Sequence, residues 1–272
     1  HGYGIAVQLT CRTEIYSEEV SDQGTGVGDS TVVLIHGLAG ASALWDPISQ
    51  ALCSHARVIR YDLRGHGQSA SPHGRWMLSD FVADLLCVMD RHDVQKTSLI
   101  GFSLGGLIAQ RFAIDYPEKL RKLAILSAVA GRTPEEKEKV AERLGNIDAG
   151  RYEVNIEDSI QRWFSPRFRE EHPALVEKRV ALLRAVGREP GYLKAYQVFV
   201  TSDLADELYK INAPTLIMTG EHDPGSNTRM AGLMHSQIQG SKIEILPGLR
   251  HSILVEAPDL VAEKLKLFLV GN

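Results

Sequence analysis

Short runs of β-branched and aliphatic residues alternate along this chain with longer stretches whose apolar residues recur at helical spacing. That alternation constrains the fold more than any other feature. Strands that follow one another through helices pair in parallel, because a parallel neighbour needs a crossover connection that a hairpin cannot supply. The expected strands are 31–35, 57–61, 97–100, 123–128, 215–219 and 242–246, preceded by two opening strands within 5–20 and a glycine-rich turn at 21–30. The expected helices lie near 47–54, 79–92, 107–116 and 259–269, the second carrying Phe81, Leu85 and Val88 on one face. The fold class is α/β: a mostly parallel central sheet flanked by helices.

Between 131 and 202 the strand signal disappears. Charged residues are frequent there, and two apolar faces recur at helical intervals, Ile156, Ile160, Trp163 and Phe164, then Tyr192, Tyr196, Phe199 and Val200. A helical cap inserted at 131–202 into a core built from 1–130 and 203–272 accounts for this. Such an insertion can cover the carboxyl ends of the strands, where ligands bind in open α/β sheets.

Composition excludes several functions. With 44% hydrophobic and 24% charged residues the chain reads as globular, and a net charge of −4 offers no footprint for a phosphate backbone, so no nucleic-acid partner is expected. No apolar run approaches the ~20 residues that a membrane-spanning helix needs. The three cysteines, Cys11, Cys53 and Cys87, lack metal-site spacing and read as small buried hydrophobes. Histidines 55, 73, 92, 172 and 235 read as surface residues, and no metal is expected. Gly24, Gly26 and Gly28 precede a strand instead of following one, the wrong context for a dinucleotide loop, and no cofactor is expected. The start shows no secretory pattern, which gives a cytoplasmic expectation.

The chemistry is carried by Gly101-Phe102-Ser103-Leu104-Gly105-Gly106, lying between a buried strand and a helix. Small neighbours permit the sharp strand-to-helix turn that lifts a serine hydroxyl above the sheet. A neutral serine needs a base to act as a nucleophile. His251, after strand 242–246, is the expected base, and Asp223, after strand 215–219, is expected to orient it, with Glu221 as the rival acid. An oxyanion needs two preset donors: the Leu104 backbone N–H at the helix start, and that of Leu38 in the loop after strand 31–35. His66 reads as structural, and Asp62 and Arg64 as paired with each other or with backbone. Trp163, Trp45 and Phe102 are candidate substrate contacts.

These runs, His36-Gly37-Leu38, Tyr61 to Ser69, the elbow at 101–106, Gly220 to Asp223 and His251, resemble the α/β-hydrolase superfamily over essentially the whole chain. Within it the chain is most similar to the 3-oxoadipate enol-lactonases, through Arg60-Tyr61-Asp62, Arg162-Trp163-Phe164 and Gly191-Tyr192; Phe102 departs from the small or aliphatic residue expected before the nucleophile. The resemblance implies a serine hydrolase of a small ester or lactone, with a role in aromatic-compound breakdown. Alternatives on the same scaffold are a carbon–carbon hydrolase of ring-cleavage products, a cofactor-free perhydrolase and a small-ligand receptor.

Overall fold

The computed structural model describes residues 11–20 and 30–271. Seven strands form one sheet: β1 (Ser17–Val20), β2 (Thr31–Ile35), β3 (Arg57–Tyr61), β4 (Thr97–Phe102), β5 (Leu120–Leu126), β6 (Thr215–Gly220) and β7 (Lys242–Leu246). Their order is β1-β3-β2-β4-β5-β6-β7, and every pairing is parallel except that of β1 with β3. Only the second of the opening strands falls among the described residues; positions 5–10 and the turn at 21–29 lie outside them.

The sheet is buried on both faces, which is why its central strands read as unbroken apolar runs. Val33 and Ile35 of β2 join one core, whereas Val32 and Leu34 point into a second core on the opposite face, as the two-residue period of a strand requires. That second core is closed by α1 (Asp46–Leu52) and α11 (Pro258–Val270), through Ile48, Leu52, Val261 and Leu265. On the first face lie α2 (Leu78–Arg91), α3 (Leu104–Asp115) and α9 (Thr228–Gln237), while the short α10 (Ile253–Glu256) leads into α11. None of these helices is long and apolar enough to cross a membrane, nor is any other among the described residues.

Between β5 and β6 the chain forms five helices: α4 (Pro134–Asp148), α5 (Tyr152–Trp163), α6 (Pro166–Glu171), α7 (Pro173–Val186) and α8 (Pro190–Thr201). Four of the five begin on proline, whose fixed φ and missing N–H suit the first helical position. Thr133 and Ser165 cap α4 and α6 by accepting from the Glu136 and Phe168 amides.

The cysteine expectation is corrected. Cys11 and Cys87 form a disulfide that ties the segment before β1 to α2, and only Cys53 is free and buried. A sequence separation of 76 positions conceals the pair from any reading by spacing.

Candidate active site

The elbow is tighter than its glycines suggest. β4 runs through Phe102 and α3 starts at Leu104, so the turn is Ser103 alone, with φ 55° and ψ −117°. Non-glycine residues rarely occupy that region, and strain of this kind persists only where the surroundings enforce it. Here the enforcement is close packing of backbone. A Cβ on Gly101 would lie 2.2 Å from the Gly105 carbonyl oxygen, and one on Gly105 would lie 2.1 Å from that of Ile35. At Gly37 a Cβ would come within 2.9 Å of the Ser103 Cβ, so the loop after β2 passes directly beside the serine.

The loops after β6 and β7 bring two further groups to Ser103. Asp223 is almost fully buried, and its Oδ2 accepts from His251 Nδ1 at 2.7 Å. With that proton on Nδ1, His251 Nε2 is the acceptor for the Ser103 hydroxyl, 3.2 Å away. The other Asp223 oxygen takes the amides of Gly225 and Ser226, both at 3.0 Å, which fixes the carboxylate plane. Glu221, the rival acid, is exposed and faces His222 at 3.1 Å instead. His251 is itself held: Ser127 donates to its carbonyl, and the amides of His251 and Ser252 donate to the carbonyls of Arg162 and Trp163 at the end of α5.

Leu38 borders the same cleft as Ser103. Leu104 is the first residue of α3, where an amide has no acceptor within its own helix and the dipole favours negative charge. Two buried histidines shape the loop that carries Leu38. His36 Nε2 accepts from the Leu63 amide and His66 Nε2 from the Ala39 amide, and burial holds both rings well towards the neutral form. Asp62 accepts from the backbone amides of Ser42 and Gln68, and Arg64 pairs with buried Asp84, not with Asp62.

Phe102 lines the cleft and packs 5.2 Å from the His251 ring. Trp163 forms part of the wall and is also buried against Phe164, with the Arg179 guanidinium 4.3 Å from its ring centroid. Trp45 is not a wall of the cleft. It lies fully buried in the second core with Val32, Leu34 and Leu254, because the turn after the Leu38 loop carries it to the opposite face of the sheet.

The cleft is markedly cationic, a property that the sequence reading missed. Arg132, Lys139, Arg143, Arg162 and Arg179 border it, against Glu136 and Asp223. Glu136 is engaged by Arg229, and Asp223 by His251. Arg162 pairs with Asp158, and Arg132 caps the carbonyl end of α8 through Phe199 and Ser202. Arg143 donates to the Tyr196 hydroxyl at 3.2 Å, and Arg179 donates only to backbone carbonyls. Among the described residues no carboxylate pairs with Lys139, Arg143 or Arg179, so the cleft presents unneutralised positive charge. A usable signal exists in the sequence: Lys139, Arg143 and Arg179 fall on helices between β5 and β6 beside buried apolar positions, as Arg179 does beside Val180 and Leu183.

A family model described as the alpha/beta hydrolase fold matches residues 30–258. The chain belongs to the α/β-hydrolase family. It is 30% identical over 250 residues to (E)-2-((N-methylformamido)methylene)succinate hydrolase of Acinetobacter baylyi, an alignment covering 91% of this chain and 92% of that one. It is 29% identical over 211 residues to 3-oxoadipate enol-lactonase 2 of the same organism, covering 74% of each. The solved enol-lactonase of Burkholderia xenovorans LB400 superposes with a TM-score of 0.87 over 94% of this chain and 96% of that one; at 24% identity this likeness speaks for the fold. The family and these relatives support a hydrolase.

Proposed function

We propose that this α/β-fold hydrolase cleaves a small ester or lactone bearing a carboxylate, in the manner of an enol-lactonase, through an acyl-enzyme on Ser103. The observation that carries the reading is the hydrogen-bonded line from Ser103 to His251 to Asp223, at 3.2 and 2.7 Å, beneath a cleft with unneutralised cations.

In this reading His251 Nε2 takes the Ser103 proton as the hydroxyl oxygen attacks the carbonyl carbon. Asp223 stabilises the imidazolium and fixes its tautomer. The Leu38 and Leu104 amides receive the oxyanion. Collapse expels the alkoxide or enolate, which takes the proton from His251, and the enol formed from an enolate then tautomerises to a ketone. Water, deprotonated by His251, releases the acid and regenerates Ser103. The cations border the cleft where the remainder of the substrate would lie, and a guanidinium free of carboxylates is suited to bind one. Phe102 and Trp163 supply apolar wall.

The disulfide speaks against the cytoplasmic expectation. A disulfide such as Cys11–Cys87 belongs with oxidising surroundings.

The test compares p-nitrophenyl hydrogen succinate with p-nitrophenyl butyrate, esters of similar length that differ in charge. The carboxylated ester is expected to have at least about tenfold higher kcat/KM, a gap that narrows with salt and is largely removed by Arg143→Gln. Equal kcat/KM for the two esters at low salt contradicts the charge reading, and an absence of turnover on both contradicts the hydrolase reading of the triad.

A further inference from the structure

Arg179 is a buried cation with no carboxylate partner among the described residues, and the mechanism above gives it no step. Its position on the cap is unusual in what it touches. From α7 its Nη1 donates to the Ala39 carbonyl at 2.7 Å and its Nη2 to the Leu38 carbonyl at 3.2 Å, both in the loop after β2 on the core side. Burial lowers the guanidinium only to about 10, so it stays charged at neutral pH.

The loop it grips is held peptide by peptide. The Gly37 carbonyl accepts from the Gly40 amide at 3.1 Å and meets the His36 Nδ1 at 2.7 Å, which fixes the peptide that carries the Leu38 N–H. The next peptide has its N–H, on Ala39, donated to His66 Nε2 at 3.1 Å and its C=O, on Leu38, taken by Arg179. Ala39 has φ 55°, a left-handed conformation that a residue with a Cβ adopts only when constrained. Arg179 binds the carbonyls on both sides of that α-carbon. Its guanidinium is in turn flanked by Trp163, whose backbone carbonyl accepts from the Ser252 amide beside His251.

From this geometry we infer that Arg179 is a positioning residue: it clamps the Leu38–Ala39 turn from the cap side, so that the Leu38 N–H is aimed at the oxyanion only while the cap is seated. The inference rests on the proposed use of the Leu38 amide and deepens it, since it makes cap docking a condition of transition-state stabilisation as well as of substrate choice. A carbonyl pair that gains two charge-assisted bonds is strongly oriented, and a misplacement of ~1 Å in an oxyanion donor is worth about a hundredfold in rate.

The decisive substrate is neutral, so that charge recognition plays no part. With p-nitrophenyl acetate, Arg179→Ala is expected to lower kcat roughly tenfold to a hundredfold with KM changed by less than about threefold. Binding of a boronic acid, which forms a tetrahedral anion on the serine, should weaken by a similar factor, whereas a neutral competitive inhibitor of the ground state binds as before. Arg179→Lys, which keeps the charge and can reach one carbonyl at a time, should recover part of kcat. Concentrations are set by titrating Ser103 with a fluorophosphonate, so partial unfolding does not enter kcat. If both variants acylate at the parental rate, the clamp is refuted while the hydrolase reading stands. Should the neutral ester be unaffected and only KM for a carboxylated ester rise, Arg179 is a substrate contact and the clamp is again refuted. If the parent enzyme itself gives no p-nitrophenol burst, the acyl-enzyme reading fails, and the role assigned to Arg179 fails with it.

Discussion

Gly105→Ala isolates the close packing that makes the elbow possible. Two effects of opposite sign compete at this position. Alanine is a better helix former than glycine by about 1 kcal/mol, so on propensity alone the substitution near the start of α3 stabilises. The added Cβ, however, would lie 2.1 Å from the Ile35 carbonyl oxygen and 2.6 Å from that of His36, both backbone atoms of the neighbouring strand and its loop. Opening the shorter contact merely to 3.0 Å, still tighter than ordinary van der Waals contact, moves the start of α3 by about 0.9 Å from β2. Overpacking of that size costs roughly 1–3 kcal/mol, which exceeds the propensity gain. The same shift carries Ser103 and the Leu104 amide with it, and a misplacement near 1 Å costs about a hundredfold in turnover. Gly145→Ala is the control. It lies in α4, on an exposed turn where a Cβ meets nothing within 4 Å, so propensity acts alone and about 1 kcal/mol of stabilisation is expected. Melting followed by circular dichroism, with p-nitrophenyl acetate turnover on each variant, reads both effects. Gly105→Ala should melt lower than the parent and lose activity, and Gly145→Ala should melt about 2–4 °C higher with parental activity. A Gly105→Ala enzyme that melts at or above the parent and retains its kcat refutes the steric argument.

Trp163→Ala should lower both stability and activity, because the ring is core as well as cleft wall: the loss of stability is expected near ~3 kcal/mol by thermal melting, and unchanged melting would place the ring outside the packed core. Acid should destabilise the fold below about pH 6.5, the ordinary histidine range. Burial lowers His36 and His66, so the unfolded chain binds protons that the folded one refuses; stability is complete above the unfolded pKa and falls at up to ~1.4 kcal/mol per pH unit per histidine as pH drops towards the folded values. Melting temperatures identical at pH 7 and pH 5 would contradict this. Cys87→Ser removes a bond closing a loop that spans 76 positions and should cost about 4.5 kcal/mol by the chain-entropy argument, with non-reducing peptide mapping of the parent recovering Cys11 linked to Cys87. Free thiols at both positions in the purified parent would contradict the pairing.

The sheet was legible because its strands are buried on both sides and so carry unbroken β-branched runs. The serine, the aspartate and the histidine were legible because each follows a strand at its carboxyl end, in an order that short connections and one insertion preserve. The elbow differs in detail from its sequence pattern. Strand and helix were expected to stop at 100 and start at 107, with the glycines between them forming a loop, whereas Gly101 is in β4 and Gly105 and Gly106 are in α3. Those glycines serve close approach more than turning, and a one-dimensional pattern cannot tell these uses apart. Trp45 was misplaced for a related reason: nearness in sequence to the Leu38 loop says nothing about which face of the sheet the chain turns to. The disulfide and the cationic cleft depend on contacts between residues far apart in sequence, such as Arg179 with Leu38 and Ala39 across about 140 positions. Local periodicity carries no record of such contacts.

The proposed reaction turns on acylation of Ser103. Rapid quenching of the enzyme with p-nitrophenyl acetate at mildly acidic pH, where deacylation slows, followed by peptide mass spectrometry, tests it most directly. The expected result is a p-nitrophenol burst of one equivalent per active site, an acetyl group on the peptide containing Ser103, and loss of both in Ser103→Ala with melting unchanged. Turnover with no acetyl group on Ser103, or a burst that survives Ser103→Ala, would contradict it.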